Sequence, residues 1–194
     1  MRLTSRSWPA DRRLPASAYR RLEPAALGWR RVASRRACTP ASQHRRSTMA
    51  QDAIALLEAD HQRVEGLFRE FKSAGGDPAA KLHLAQIICM ELTLHAMVEE
   101  EIFYPAFATA VGDEQLVEHA RKEHQRVKEL IARVPQAENL DGAIEAIWRN
   151  ALEHIEEERR DIFTKAKASG MELATLGGRI QSRRAEVATT VQEA

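Results

Sequence analysis

Six side chains have types and spacings suited to holding metal cations: His61, His95 with Glu99 four residues on, His124, and His154 with Glu158 four residues on. A step of four puts an imidazole and a carboxylate one turn apart on one helix face. All six fall on apolar series with helical spacing. His61 lies between Leu57 and Val64, His95 and Glu99 between Leu92 and Ile102, His124 between Ala120 and Val127, and His154 and Glu158 between Ala151 and Ile162. A lone histidine on such a stripe is usually a hydrogen-bonded core residue. One on each of four stripes, joined by two carboxylates, points to ligation. Buried carboxylates are costly unless paired, and no Lys or Arg shares these stripes. Cations between the helices would supply the missing charge. Six donors are too many for one tetrahedral ion. Imidazole and carboxylate without thiolate suit iron, manganese or zinc. If each Glu bridges two ions and two His complete each ion, every ion is left short of six ligands. A bridging oxo or hydroxo group and an outside ligand would fill the gap. The expected centre is therefore two non-haem iron ions in an oxygen-reactive site.

The elements that must carry these residues are helices. The first is predicted over about residues 51–72, on the stripe Ile54, Leu57, His61, Val64, Phe68 and Phe71, and Gly75-Gly76 stops it. Asp77-Pro78 opens a second that runs to about residue 110, with Pro105 kinking or ending it. Gly112-Asp113 separates it from a third, which Pro135 closes. A fourth is predicted from about 139–141 to 167, and a shorter fifth over about 172–190. Four long helices with short loops pack as an all-α, antiparallel up-down-up-down four-helix bundle. The sequence also repeats itself: Asp60-His61-Gln62-Arg63-Val64 returns as Glu123-His124-Gln125-Arg126-Val127. The first helix pair is thus expected to be a pseudo-twofold relative of the second.

Charge divides the chain. Residues 1–48 hold 12 of its 29 basic residues, all Arg, but only two of its 28 acids, Asp11 and Glu23. With four prolines and no sustained period, this stretch reads as a disordered extension. It is a region upstream of a true start at Met49, an organelle presequence, or a tail for anionic surfaces. The expected organisation is an extension over 1–48, a metal-binding bundle over 49–170 and a C-terminal helix or tail over 171–194. Cys38 and Cys89 form no CxxC pair, which fits a reducing, cytoplasmic setting. Neither a membrane nor a nucleic-acid partner is expected.

Four motifs, taken in order, carry a resemblance to a known family. They are Asp60-His61, the run His95-xxx-Glu99-Glu100-Glu101-Ile102-Phe103-Tyr104-Pro105, Glu123-His124, and His154-xxx-Glu158. Over about residues 51–168 the chain resembles hemerythrin and the hemerythrin-like HHE cation-binding domains. Ferritin-type bundles use Glu-x-x-His instead. The resemblance implies the ligand set His61, His95, Glu99, His124, His154 and Glu158. Oxygen-carrying hemerythrins add a histidine one turn before the third-helix His; here that position is Ala120. His119 is its neighbour but points about 140° away from His124 on an ideal helix, so it is assigned to the surface, as is His83. The resemblance then favours a domain that binds or senses dioxygen, nitric oxide or iron over a dedicated carrier. The alternative is an enzyme of oxidative or nitrosative stress, breaking down peroxide or repairing iron–sulfur clusters. Glu100, Glu101, Glu156 and Glu157 read mainly as a solvated acidic face, some of them able to orient imidazoles. Tyr104, Phe103 and Phe163 read as core.

Overall fold

The computed structural model describes residues 51–192, with side chains as far as Val187. The Arg-rich stretch over 1–48 lies outside those residues. Helix α1 (Ala53–Ser73) begins where Asp52 accepts the Ala55 N–H at 2.8 Å. Asp77 caps α2 (Pro78–Val98) by accepting from Ala79 and Ala80, with Pro78 at the first position, where no N–H is needed. The chain then makes a π-helical turn, Glu99–Phe103, and continues as α3 (Tyr104–Val111). Gly112, at φ +74°, takes the left-handed conformation that ends α3. Asp113 caps α4 (Glu114–Arg133), a single 3₁₀ turn covers Val134–Gln136, and Asn139 caps α5 (Leu140–Glu157). A second π turn, Glu158–Ile162, leads into α6 (Phe163–Ala168), and α7 (Leu173–Gln192) comes after it.

Every regular element among the described residues is a helix, with no strand. The first two rods pack as one antiparallel pair and α4 with α5 as the other. The expected four-helix bundle and the fifth helix are both present. Pro105 neither ends nor breaks the second rod. The π turn just before it closes a wider ring, with the Tyr104 N–H bonded to the Glu99 carbonyl five residues back, and the helix resumes. Among the described residues no helix is long and apolar enough to cross a membrane.

The core has two apolar halves. One gathers Leu57, Val98, Phe103, Tyr104, Phe107 and Phe163, with Leu176 and Ile180 of α7. The other gathers Val64, Phe68, Ile88, Leu92, Ile144 and Ile147. The stripes run through both. The polar residues interrupt each stripe at the level where one half gives way to the other, so they form a buried layer between the two. α7 comes close to the start of α1: a Cβ at Gly177 would run into the Gln51 carbonyl oxygen.

Candidate metal centre

All six candidate ligands are buried: His61, His95, His124 and His154 at 1–5% exposure, Glu99 at 0% and Glu158 at 1%. The imidazoles meet in pairs through their Nε2 atoms, His61 with His95 at 3.2 Å and His124 with His154 at 3.0 Å. Glu99 Oε2 lies 3.1 Å from His95 Nε2 and 3.2 Å from His124 Nε2, so it reaches both pairs. Glu158 Oε2 lies 3.3 Å from His61 Nε2. Two overlapping groups result, His95, Glu99, His124 and His154 on one side and His61, His95, Glu99 and Glu158 on the other.

The donor set fits cations. Glu99 Oε1 and Glu158 Oε2 are buried with no hydrogen-bond partner, a costly state for carboxylate oxygens unless something positive sits among them. Without a cation, protons carry that charge. Burial, reinforced by the charge of Glu99, drives the Glu158 carboxyl well above the usual range. Burial also acts to raise Glu99, but the charge of His95 and hydrogen bonds from His124 and His95 outweigh it and hold Glu99 well below. Burial acts to lower His95, yet the charge of Glu99 and the bond to Asp60 push it up to about 10. His61 goes the other way: burial, with the charge of His95, lowers it to about 3.

A second layer aims the imidazoles. The outward Nδ1 of His124 meets Glu100 Oε1 at 2.9 Å, that of His154 meets Glu123 Oε2 at 2.9 Å, and that of His95 meets Asp60 Oδ2 at 3.4 Å. A carboxylate on Nδ1 fixes the hydrogen there and leaves the Nε2 lone pair facing inward. Asp60 is in turn gripped by both terminal nitrogens of the Arg184 guanidinium, from α7. Glu100 also pairs with Lys128 at 2.7 Å. Glu100 is among the orienting acids expected from the sequence; Asp60 and Glu123 are not. Their signal is the repeat itself, in which an acid precedes the histidine both times. Each acid serves the histidine of the following helix rather than its own neighbour.

Tyr104 is fully buried, and its hydroxyl lies 3.3 Å from both Glu99 Oε2 and Glu158 Oε1. It belongs to the core as expected, but its polar end also ties the two carboxylates together. The π turn brings it there, since one extra residue in the turn rotates the downstream helix by about 100°. The second π turn starts at Glu158, the equivalent point of the other helix pair. Ala120 is buried among apolar neighbours. His119 is 57% exposed and bonds Glu157 at 3.0 Å, so it adds no donor to the buried layer. His83 is exposed too. Cys89 is a free thiol that burial pushes up to about 11, which disfavours the reactive thiolate.

Comparison with known proteins identifies the domain. The sequence profile described as the hemerythrin HHE cation binding domain matches residues 52–166. A hemerythrin-like protein of Schizosaccharomyces pombe is 31% identical over 122 residues, 59% of this chain and 58% of that protein. A DNA nickase of Nostoc is 28% identical over 116 residues, 58% of this chain and 32% of that protein. The chain thus spans less than two thirds of the length of either relative. The crystal structure of a hemerythrin HHE cation binding domain-containing protein from Mycobacterium kansasii superposes with a TM-score of 0.62 at 22% identity, covering 70% of this chain and 86% of that one. That likeness speaks for the fold, while the profile match spans more than half of the chain and carries the family. This chain belongs to the hemerythrin HHE cation-binding domain family.

Proposed function

We propose that the chain holds two non-haem iron ions through His61, His95, Glu99, His124, His154 and Glu158, and binds or senses a diatomic ligand, dioxygen or nitric oxide, at them. One observation carries the reading: a cavity of about 20 Å³ is lined by all four histidines and by apolar side chains including Val64, Leu92, Ala96, Val127 and Ala151. A single water needs about 10–15 Å³, so the space suits one small molecule.

Bound iron would supply the electron transfer and the affinity for such a ligand. The chain's own residues do the rest. His61 and His95 would hold one ion and His124 and His154 the other, with Glu99 and Glu158 placed between the pairs. Asp60, Glu100 and Glu123 keep three of the imidazoles turned inward. Tyr104 steadies the two carboxylates. The apolar walls limit water at the ligand position. Ala120 leaves the His124 side with one donor fewer than an oxygen carrier has, which favours sensing over transport.

The test is iron content and optical spectra of protein produced with ample iron. Two irons per chain are expected, with an absorption change on adding dioxygen or nitric oxide. Fewer than two irons, or spectra blind to both gases, would overturn the proposal. Rapid peroxide breakdown without a stable gas-bound form would favour an enzyme instead.

A further inference from the structure

The two halves of the centre correspond residue by residue. Asp60 matches Glu123, His61 matches His124, His95 matches His154 and Glu99 matches Glu158. Both acids before the repeat histidines meet the Nδ1 of the next helix's histidine, at 3.4 and 2.9 Å. Tyr104 has Phe163 as its counterpart, and among the acids that meet the imidazoles the correspondence fails once. Glu100, which holds His124 Nδ1 at 2.9 Å, has Arg159 as its counterpart. His61 Nδ1 is buried with no hydrogen-bond partner. The nearest carboxylate oxygen, Glu58 Oε2, is 4.0 Å away, and Arg159 Nε holds that same oxygen at 3.0 Å. Arg159 Nη1 also binds Glu65 at 2.9 Å.

From this asymmetry we infer that the two cation positions are unequal: the His124–His154 position fills first, and the His61–His95 position is the exchangeable one. The inference rests on the two-ion centre proposed for this chain. An imidazole that binds a cation through Nε2 must carry its hydrogen on Nδ1. On His124, His154 and His95 that N–H has a carboxylate to receive it; on His61 it has none. Outer-layer acceptors of this kind are typically worth about 10–100-fold in metal affinity. Arg159 acts as a positioning residue, because it diverts the one acid within reach of His61. At limiting iron the chain would hold a single ion, and occupancy of the second position would follow iron supply.

The experiment uses the full chain and Fe²⁺ under anaerobic conditions. Crystals grown with one equivalent should show anomalous scattering between His124 and His154. Calorimetric titration should show two steps separated by about 10–100-fold. Arg159→Ala frees Glu58 to turn toward His61 and should narrow the gap by strengthening the weaker step. Glu100→Gln should narrow it by weakening the tighter one. Arg159 is about one-third exposed, and circular dichroism checks that the variants fold. The first ion appearing at His61–His95, an even division of the first equivalent, or an unchanged gap in Arg159→Ala would each overturn the inference while leaving the two-ion centre intact. Saturation below two ions in the unaltered chain would overturn both.

Discussion

Protons stand in for cations in the metal-free centre. At neutral pH His95, raised to about 10, carries an imidazolium proton, and burial with the charge of Glu99 shifts Glu158 toward its protonated form. His61, lowered to about 3, is already neutral and has none to lose. Ligation needs bare lone pairs, so cation binding must expel the His95 proton and any proton that Glu158 holds. Below a raised pKa the free site is protonated, so protons compete with the metal and affinity falls as pH falls. At least one proton, that of His95, should leave per fully loaded chain between pH 7 and 8. The release should shrink as pH approaches 10, where His95 gives up its proton unaided. Calorimetry in buffers of differing ionisation enthalpy counts them; zero release, or an affinity flat from pH 6 to 8, would contradict this charge balance.

At the scale of elements, the seam between α7 and α1 is a sharp test of packing. Gly177 faces the backbone at Gln51, whereas a Cβ on its neighbour Gly178 meets nothing within 4 Å. Gly177→Ala should therefore destabilise by about 1–3 kcal/mol through overpacking. Gly178→Ala should be neutral or stabilise by up to about 1 kcal/mol, because Ala is the better helix former. Urea denaturation of the pair decides it, and equal effects would mean that α7 does not dock as described. Much at this scale is legible in the sequence. The stripes containing His61, His95, His124 and His154 name the buried faces, and Asp77-Pro78 and Gly112-Asp113 mark boundaries, because periodicity and caps are local properties. The π turns at Glu99 and Glu158 are not legible, since both begin inside unbroken helical patterns. The bond from Arg184 to Asp60 spans 124 residues, and only the packing of a fifth helix reveals it. The partners of Asp60 and Glu123 depend on helix rotation, which a linear repeat does not encode.

For the whole molecule, the polar layer divides one core into two. Leu57 and Phe163 lie on one side of it and Val64 and Leu92 on the other, with two carboxylates and four imidazoles between them. In a metal-free chain this layer weakens the fold, because charge and unpartnered oxygens replace apolar contact. With cations bound, the same layer joins all four long rods, and binding free energy becomes folding free energy. At a free metal concentration 100 times the dissociation constant the gain is about 2.7 kcal/mol per ion. A chain of this size shifts its melting temperature by about 2–4 °C per kcal/mol. Chelation should therefore lower the melting temperature by roughly 5–10 °C for each ion lost at that concentration. Glu158→Ala separates the two roles of the layer. It removes a carboxylate that is a liability without metal and a ligand with it, so it should abolish most of the metal-dependent increment while costing the chelated protein little. Thermal melts of both proteins, with Fe²⁺ and with chelator, read the difference directly. A variant that keeps two irons per chain and the full increment would show that Glu158 does not lie between the ions, and the proposed centre would have to be redrawn around Glu99 alone.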